Sequence, residues 1–170
     1  MSVRRIIKDQ RIVQDSCLHL ADDAALPPTG AFTVSLARWH KERGSLQARM
    51  SDLGVRLSNE LDVDEVADEL KELRQIVVEF PKFGDGRALS QARVLRERHG
   101  YKGEIRVIGD VLRDQLWQMH RCGINAFELR QDRSIEDALK AFSEMSITYQ
   151  AAVDDPQSIF LRRRASASTT

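Results

Sequence analysis

The amino-acid sequence predicts an α/β protein built on a parallel sheet. Short apolar, β-branched runs alternate with amphipathic stretches from Phe32 onward, in about five strand–helix units. Each unit is roughly 20–30 residues long, the spacing of right-handed crossovers rather than hairpins. Two architectures satisfy this pattern. One is an open doubly wound sheet; the other is a half-barrel with strands in sequential order, whose free edges need cover from an N-terminal β-hairpin or a second subunit. The short, uniform units favour the barrel-like arrangement.

In chain order, Val3, Ile6-Ile7 and Ile12-Val13 flank the polar Lys8-Asp9-Gln10, which reads as a β-hairpin over residues 1–21. Residues 22–30, with Pro27-Pro28 and Gly30, form a linker to an α/β core over 31–150. The core opens with a strand over Phe32–Leu36 and a helix from Trp39 to Ser51, weakened by Gly44. A short strand at Val55–Leu57 follows. Asp62 and Glu65 have capping-box spacing ahead of a helix with the stripe Val63, Val66, Ala67, Leu70, Leu73. Gln75–Phe80, nearly all apolar and β-branched, is the clearest strand. A helix over Arg87–His99 then ends at Gly100, a strand over Glu104–Ile108 leads to a helix over Asp110–Arg121 closed by Gly123, and Ala126–Leu129 is the last strand. Ser134 opens the last helix, and residues 151–170, ending LRRRASASTT, are expected to be a mobile tail.

Composition excludes several functions. Apolar residues at 42% and charged residues at 31% fit a globular domain, and 26 basic against 26 acidic residues leave no net field for nucleic acid or acidic membranes. No apolar run approaches the about 20 residues of a membrane helix, and the charged N-terminal stretch lacks a signal core, so a soluble, cytoplasmic protein is expected. Cys17 and Cys122 lie far apart without CxxC or Cys/His spacing, and His19, His40, His99 and His120 show no metal-ligand spacing, so no metal site is expected.

In either architecture, ligands bind where the parallel strands end. The stretch FPKFGDGR leaves the clearest strand there. Gly84 and Gly86 allow positive φ, Asp85 is placed to cap the next helix, and Arg87, Ser90, Gln91 and Val94 share one helical face. With Lys82 before the loop, and Asp110 and Arg113 on the neighbouring one, this arrangement suits a small oxyanion or a phosphate. A solvated turn with a capping aspartate accounts for the same residues. Trp117 and Arg121, on the helix VLRDQLWQMHRCG, have the composition of a partner interface, or of a tryptophan packed under a neighbouring helix. No Walker A or GxGxxG fingerprint is present.

From Glu79 to Arg130 the motifs FPKF-DGR, S-ARVLRERHGY-GE-R, GD-LRDQ and RCG occur in order. This stretch resembles the bacterial family catalogued as domain of unknown function 934, with a looser likeness from Leu36 to Tyr149. Members are often labelled probable oxidoreductases involved in sulfite reduction. The resemblance implies a role beside assimilatory sulfite reductase, while no motif in this sequence would hold a redox cofactor. Two functional expectations follow. One is an accessory protein that binds a small sulfur oxyanion or phosphate-bearing ligand; the other is a non-catalytic adaptor or subunit that docks on sulfite reductase, and a homodimer is open under either. An enzyme using Asp85 or Asp110 as acid or base is a third.

Overall fold

A computed structural model describes residues 4–145 and 149–161. Strands β1 (Arg4–Lys8) and β2 (Arg11–Asp15) form the expected hairpin, joined through Asp9 and Gln10 at φ 48° and 57°. Two left-handed residues make the type I′ turn whose twist suits a two-residue hairpin. A two-residue strand, β3 (Leu18–His19), follows almost at once; it is too short to show in any sequence pattern. The five predicted units then appear in order: β4 (Phe32–Ser35) with α1 (Leu36–Leu46), β5 (Leu53–Leu57) with α2 (Ala67–Leu70), β6 (Gln75–Phe80) with α3 (Arg87–Glu97), β7 (Glu104–Gly109) with α4 (Leu116–Arg121), and β8 (Ala126–Phe127) with α5 (Ile135–Lys140).

The sheet order is β2-β1-β8-β7-β6-β5-β4-β3. Strands β3 to β8 are parallel and sequential, and β1 is antiparallel to both β8 and β2. A doubly wound sheet must reverse its strand order, and this one does not. It is a curled half-barrel. The two edge strands, β2 and β3, are separated by only Ser16 and Cys17, so the chain itself carries one edge of the sheet round to the other.

Alternating residues divide the sheet into two faces. Phe32, Val34, Leu53, Val55, Leu57, Ile76, Val78, Phe80, Ile105, Val107 and Phe127 face the helices and form the apolar core. All five residues of the predicted stripe Val63–Leu73 join it, although the segment is a 3₁₀ turn (Val63–Glu65) and the short α2 rather than one helix. Asp62 caps it by accepting from Asp64 N, at 3.0 Å.

Other boundaries shift for local reasons. Helix α1 starts earlier than expected because Ser35 accepts from Arg38 N at 3.0 Å, and it kinks at Glu42, two residues before Gly44. After β7 the chain turns tightly, with Val111 N donating to Gly109 O at 2.9 Å; Val111 is buried, Leu112 is extended, and α4 begins only at Leu116 after a 3₁₀ turn. Gly100 and Gly123 have the left-handed φ expected of helix ends, whereas Gly86 has φ −82° and Gly84 is not among the positive-φ glycines. The opening of the 151–170 segment packs on the domain through Val153 N to Arg121 O, 3.1 Å; the arginine run 162–164 lies outside the described residues.

Gly109, at the end of β7, has φ +103°, and a Cβ there would collide with the Phe80 carbonyl. Gly109→Ala should destabilise the protein by about 2 kcal/mol or more, read as a lower urea midpoint with unchanged m.

Candidate functional site

The concave side of the curl is polar. On β7, Glu104 and Arg106 alternate with the core residues Ile105 and Val107 and so point inward. Arg106, 3% exposed, donates two bonds to Asp15 (2.9 and 3.0 Å), one to Glu104 (2.8 Å) and one to Glu128 (3.0 Å). Arg4 meets Asp15 at 3.2 Å, Glu128 at 2.9 Å and the Cys17 carbonyl at 2.9 Å, and Lys8 pairs with Glu104 at 2.6 Å. Three cations thus face three carboxylates contributed by β1, β2, β7 and the end of β8.

Burial alone would raise the Asp15 carboxyl, but its bonds to Arg106 and Arg4 and their charges outweigh it and hold it below the usual range. Glu128 is held low in the same way, against its own burial, by the hydrogen bond from His19 and the charges of His19, Arg4 and Arg106. Cys17 lies behind the network, and burial pushes its thiol up to about 11; burial also raises the Cys122 thiol.

A line of hydrogen bonds runs from this network to the end of the strands. His19 Nε2 lies 2.7 Å from Glu128, and its Nδ1 lies 2.6 Å from the Thr33 hydroxyl. A carboxylate only accepts, so Nε2 carries a proton toward Glu128, Nδ1 bonds the Thr33 hydroxyl, and Thr33 Oγ1 accepts from Arg56 Nη1 at 3.0 Å. Arg56 also donates to the carbonyls of Thr33 (2.9 Å) and Leu20 (2.6 Å). Among the described residues no carboxylate lies within ion-pair distance of it. Burial lowers its pKa, and the charges of Glu79 and Asp22 oppose that.

Arg56 forms part of a cavity of about 470 Å³ at the C-terminal ends of β4, β5 and β6, with Asp22, Ser35, Ser58 and Glu79 as its other polar walls. Asp22 accepts from the Ser35 hydroxyl at 2.6 Å. Glu79 points inward between the core residues Val78 and Phe80. Its carboxylate has no hydrogen bond and no ion pair among the described residues.

The predicted site residues divide into separate groups. Arg87, Ser90, Gln91 and Val94 do line one cleft, of about 250 Å³, against Asn59–Val63. Arg87, however, grips Asp85 with two bonds (3.0 and 2.7 Å) and stands 3.5 Å from Glu60. The helix cap position belongs to Gly86, while Asp85 accepts from Arg87 N at 3.2 Å and from Asn59 Nδ2 at 2.6 Å. The Arg87 hydrogen bond is the main cause holding the Asp85 carboxyl at about 2. Gln91, 5% exposed, donates to the carbonyls of Ser58 (2.7 Å) and Leu61 (3.0 Å). These residues fasten the 58–62 loop, whose other side walls the mouth cavity. Lys82 is exposed and lines neither cavity. Asp110 pairs with Arg130 at 2.9 Å, and Arg113 turns away to Asp137 (3.0 Å) and Glu144. Trp117 and Arg121 stack, with the guanidinium 4.9 Å from the ring, and Arg121 bonds the Gln150 carbonyl at 2.5 Å in a separate cleft under the C-terminal segment.

Arg56 and Glu79 were not among the residues picked out from sequence. A signal for them exists: each is a lone charge between apolar neighbours in a strand, as is Arg106 in IRV, and Glu128 in FEL has the same setting just past β8.

The family described as a bacterial protein of unknown function, DUF934, matches residues 54–160, more than half of the chain. The chain belongs to this family. The matched segment of this DUF934 protein contains Arg56, Glu79, Arg106 and Glu128, whereas Arg4, Asp15, His19 and Thr33 precede it. No curated protein and no solved structure matches the chain.

Two outcomes test the geometry. Asp15 and Glu128 titrate lower folded than unfolded, so their stabilisation is complete above the ordinary carboxylate range of about 4 and is lost as pH falls below it. Acid titration followed by circular dichroism should therefore show stability falling from about pH 4 downward. Asp15→Asn should flatten that limb while costing about 3–5 kcal/mol at pH 7, because Arg106 loses a partner. Both thiols, buried and raised in pKa, should react with a disulfide reagent at neutral pH only after unfolding.

Proposed function

We propose that this protein binds a small ligand carrying an oxyanion, such as a carboxylate, a sulfur oxyanion or a phosphate, in the mouth cavity of the half-barrel, with Arg56 as its anchor. The carrying observation is that Arg56 is oriented by two carbonyls and a hydroxyl yet has no carboxylate in ion-pair contact among the described residues. A guanidinium positioned in this way keeps its charge for an incoming anion. Within the setting that the family resemblance implies, the protein would act as an accessory of sulfite reduction, and sulfite or sulfate belongs to the ligand class. The cleft behind Arg87 supports this reading less well, since Asp85 and Glu60 already offset that guanidinium.

A second reading, an adaptor that docks on a reductase, draws on the C-terminal cleft. Trp117 lies there beside Met145 and Tyr149, and the exposed Tyr149 ring packs edge-on against the exposed Phe160.

Thermal-shift titration of the full chain with sulfite, sulfate, phosphate and short carboxylates tests the anchor. A probe at about 100 times its Kd adds about 2.7 kcal/mol and several degrees to Tm. Arg56→Gln should remove at least about tenfold of the affinity, corresponding to a charge-assisted contact of about 1.5–3 kcal/mol. Arg56→Lys should retain part of it. No Arg56-dependent shift with any probe would sink the proposal.

A further inference from the structure

Resting on that reading of the mouth cavity, we infer that its ligand is a small zwitterion, an amino acid or close analogue, with its anionic end at Arg56 and its ammonium at Glu79. The charges lining the cavity carry the inference. One guanidinium faces two carboxylates, and they are not equivalent. Asp22 has taken the Ser35 hydroxyl as its donor, at 2.6 Å. Glu79 has taken none among the described residues.

Glu79 and Arg56 are neighbours on the concave face. Arg56 pairs in register with Val77, so Glu79, two residues on, is its diagonal neighbour. The two charges are near enough for Glu79 to be the foremost charge acting on Arg56, yet they form no ion pair. The guanidinium is turned instead onto the Leu20 and Thr33 carbonyls. A simple dianion at Arg56 would therefore stand beside an uncompensated carboxylate, and a simple amine at Glu79 would stand beside a guanidinium. A ligand with both charges a few bonds apart satisfies each and leaves the cavity no more charged than before. The remaining wall is apolar, including Leu36 and Leu61, and suits a short aliphatic side chain. The volume of about 470 Å³ is at the small end of ligand pockets.

Isothermal titration of the full chain at neutral pH decides the matter, with L-alanine and L-serine as zwitterions, propionate and ethylamine as their one-charge counterparts, and sulfate as the bare oxyanion. The amino acids should bind at least about tenfold more tightly than propionate or ethylamine, as expected for one additional charge-assisted contact. The isosteric Glu79→Gln should bring alanine to the level of propionate and leave sulfate unchanged or tighter. Arg56-dependent binding of sulfate or propionate with no advantage for alanine in the wild type overturns the zwitterion and leaves the anion anchor standing. An alanine advantage that survives in folded Glu79→Gln also overturns it. If no probe, sulfate included, binds in an Arg56-dependent way, both readings fall together.

Discussion

Arg106 occupies the position on which the rest of the molecule depends. A sequential parallel sheet places all its helices on one face, and the other face must then be covered or closed on itself. In a full β/α barrel the inside is filled by branched apolar side chains. Here the curl is filled by an arginine that reaches across it to Asp15 on β2, with Glu104 on its own strand and Glu128 beyond β8 completing its partners. Such a network adds little net stability over an apolar filling, because six charged groups lose water to form it. Its value is geometric. Bidentate guanidinium bonds hold only in one orientation, so they fix which residue of β2 comes to rest over β7. Ser16-Cys17 joins the two edge strands, and this contact holds one of them, β2, across the curl.

The same network explains why Arg56 is left without a carboxylate. Inside the curl, Asp15, Glu104 and Glu128 are already divided among Arg106, Arg4 and Lys8. What reaches Arg56 from the interior is a hydrogen-bonded line from Glu128 through His19 to the Thr33 hydroxyl, with no carboxylate of its own in contact with the guanidinium. That line orients the guanidinium without cancelling it. A group held in place before a ligand arrives loses less entropy on binding. Fixing β2 against β7 and preparing the mouth are therefore two consequences of one set of bonds.

Much of the fold was legible because the helix-facing side of each strand is continuously apolar. Gln75–Phe80 has the predicted boundaries, and the five units come in the predicted order. Legibility failed where the determining contact is distant. Nothing near Leu18 and His19 marks a strand; they become one only because β4 lies beside them. Val111 is buried in the core and the helix starts only after it, against a helical pattern in the sequence. The candidate cavity lies where ligand binding was expected from the sequence, at the C-terminal ends of the strands, but it is lined by other residues than those the polar loops drew attention to. Polar loops drew attention to Lys82, Asp85 and Arg87, while the cavity is lined from within by the strand residues Arg56 and Glu79. A charged residue inside a short apolar run reads as a fault in a strand until the curl shows that alternate positions face a polar interior.

The FPKFGDGR stretch also has a structural role beside the loop after β5. Asp85 is held by Arg87 and Asn59, and Gln91 holds the Ser58 and Leu61 carbonyls. The bonds to Asn59, Ser58 and Leu61 end on the loop after β5. Without them that loop would be a chain of polar residues free to sample many conformations, since only Leu61 and Val63 tie it to the core. With them, Ser58 and Leu61 are set opposite Arg56 and Glu79 as one wall of the cavity. The stretch forms its own charge pairs outside the mouth, at Asp85 and Glu60, and adds no charge of its own to the cavity.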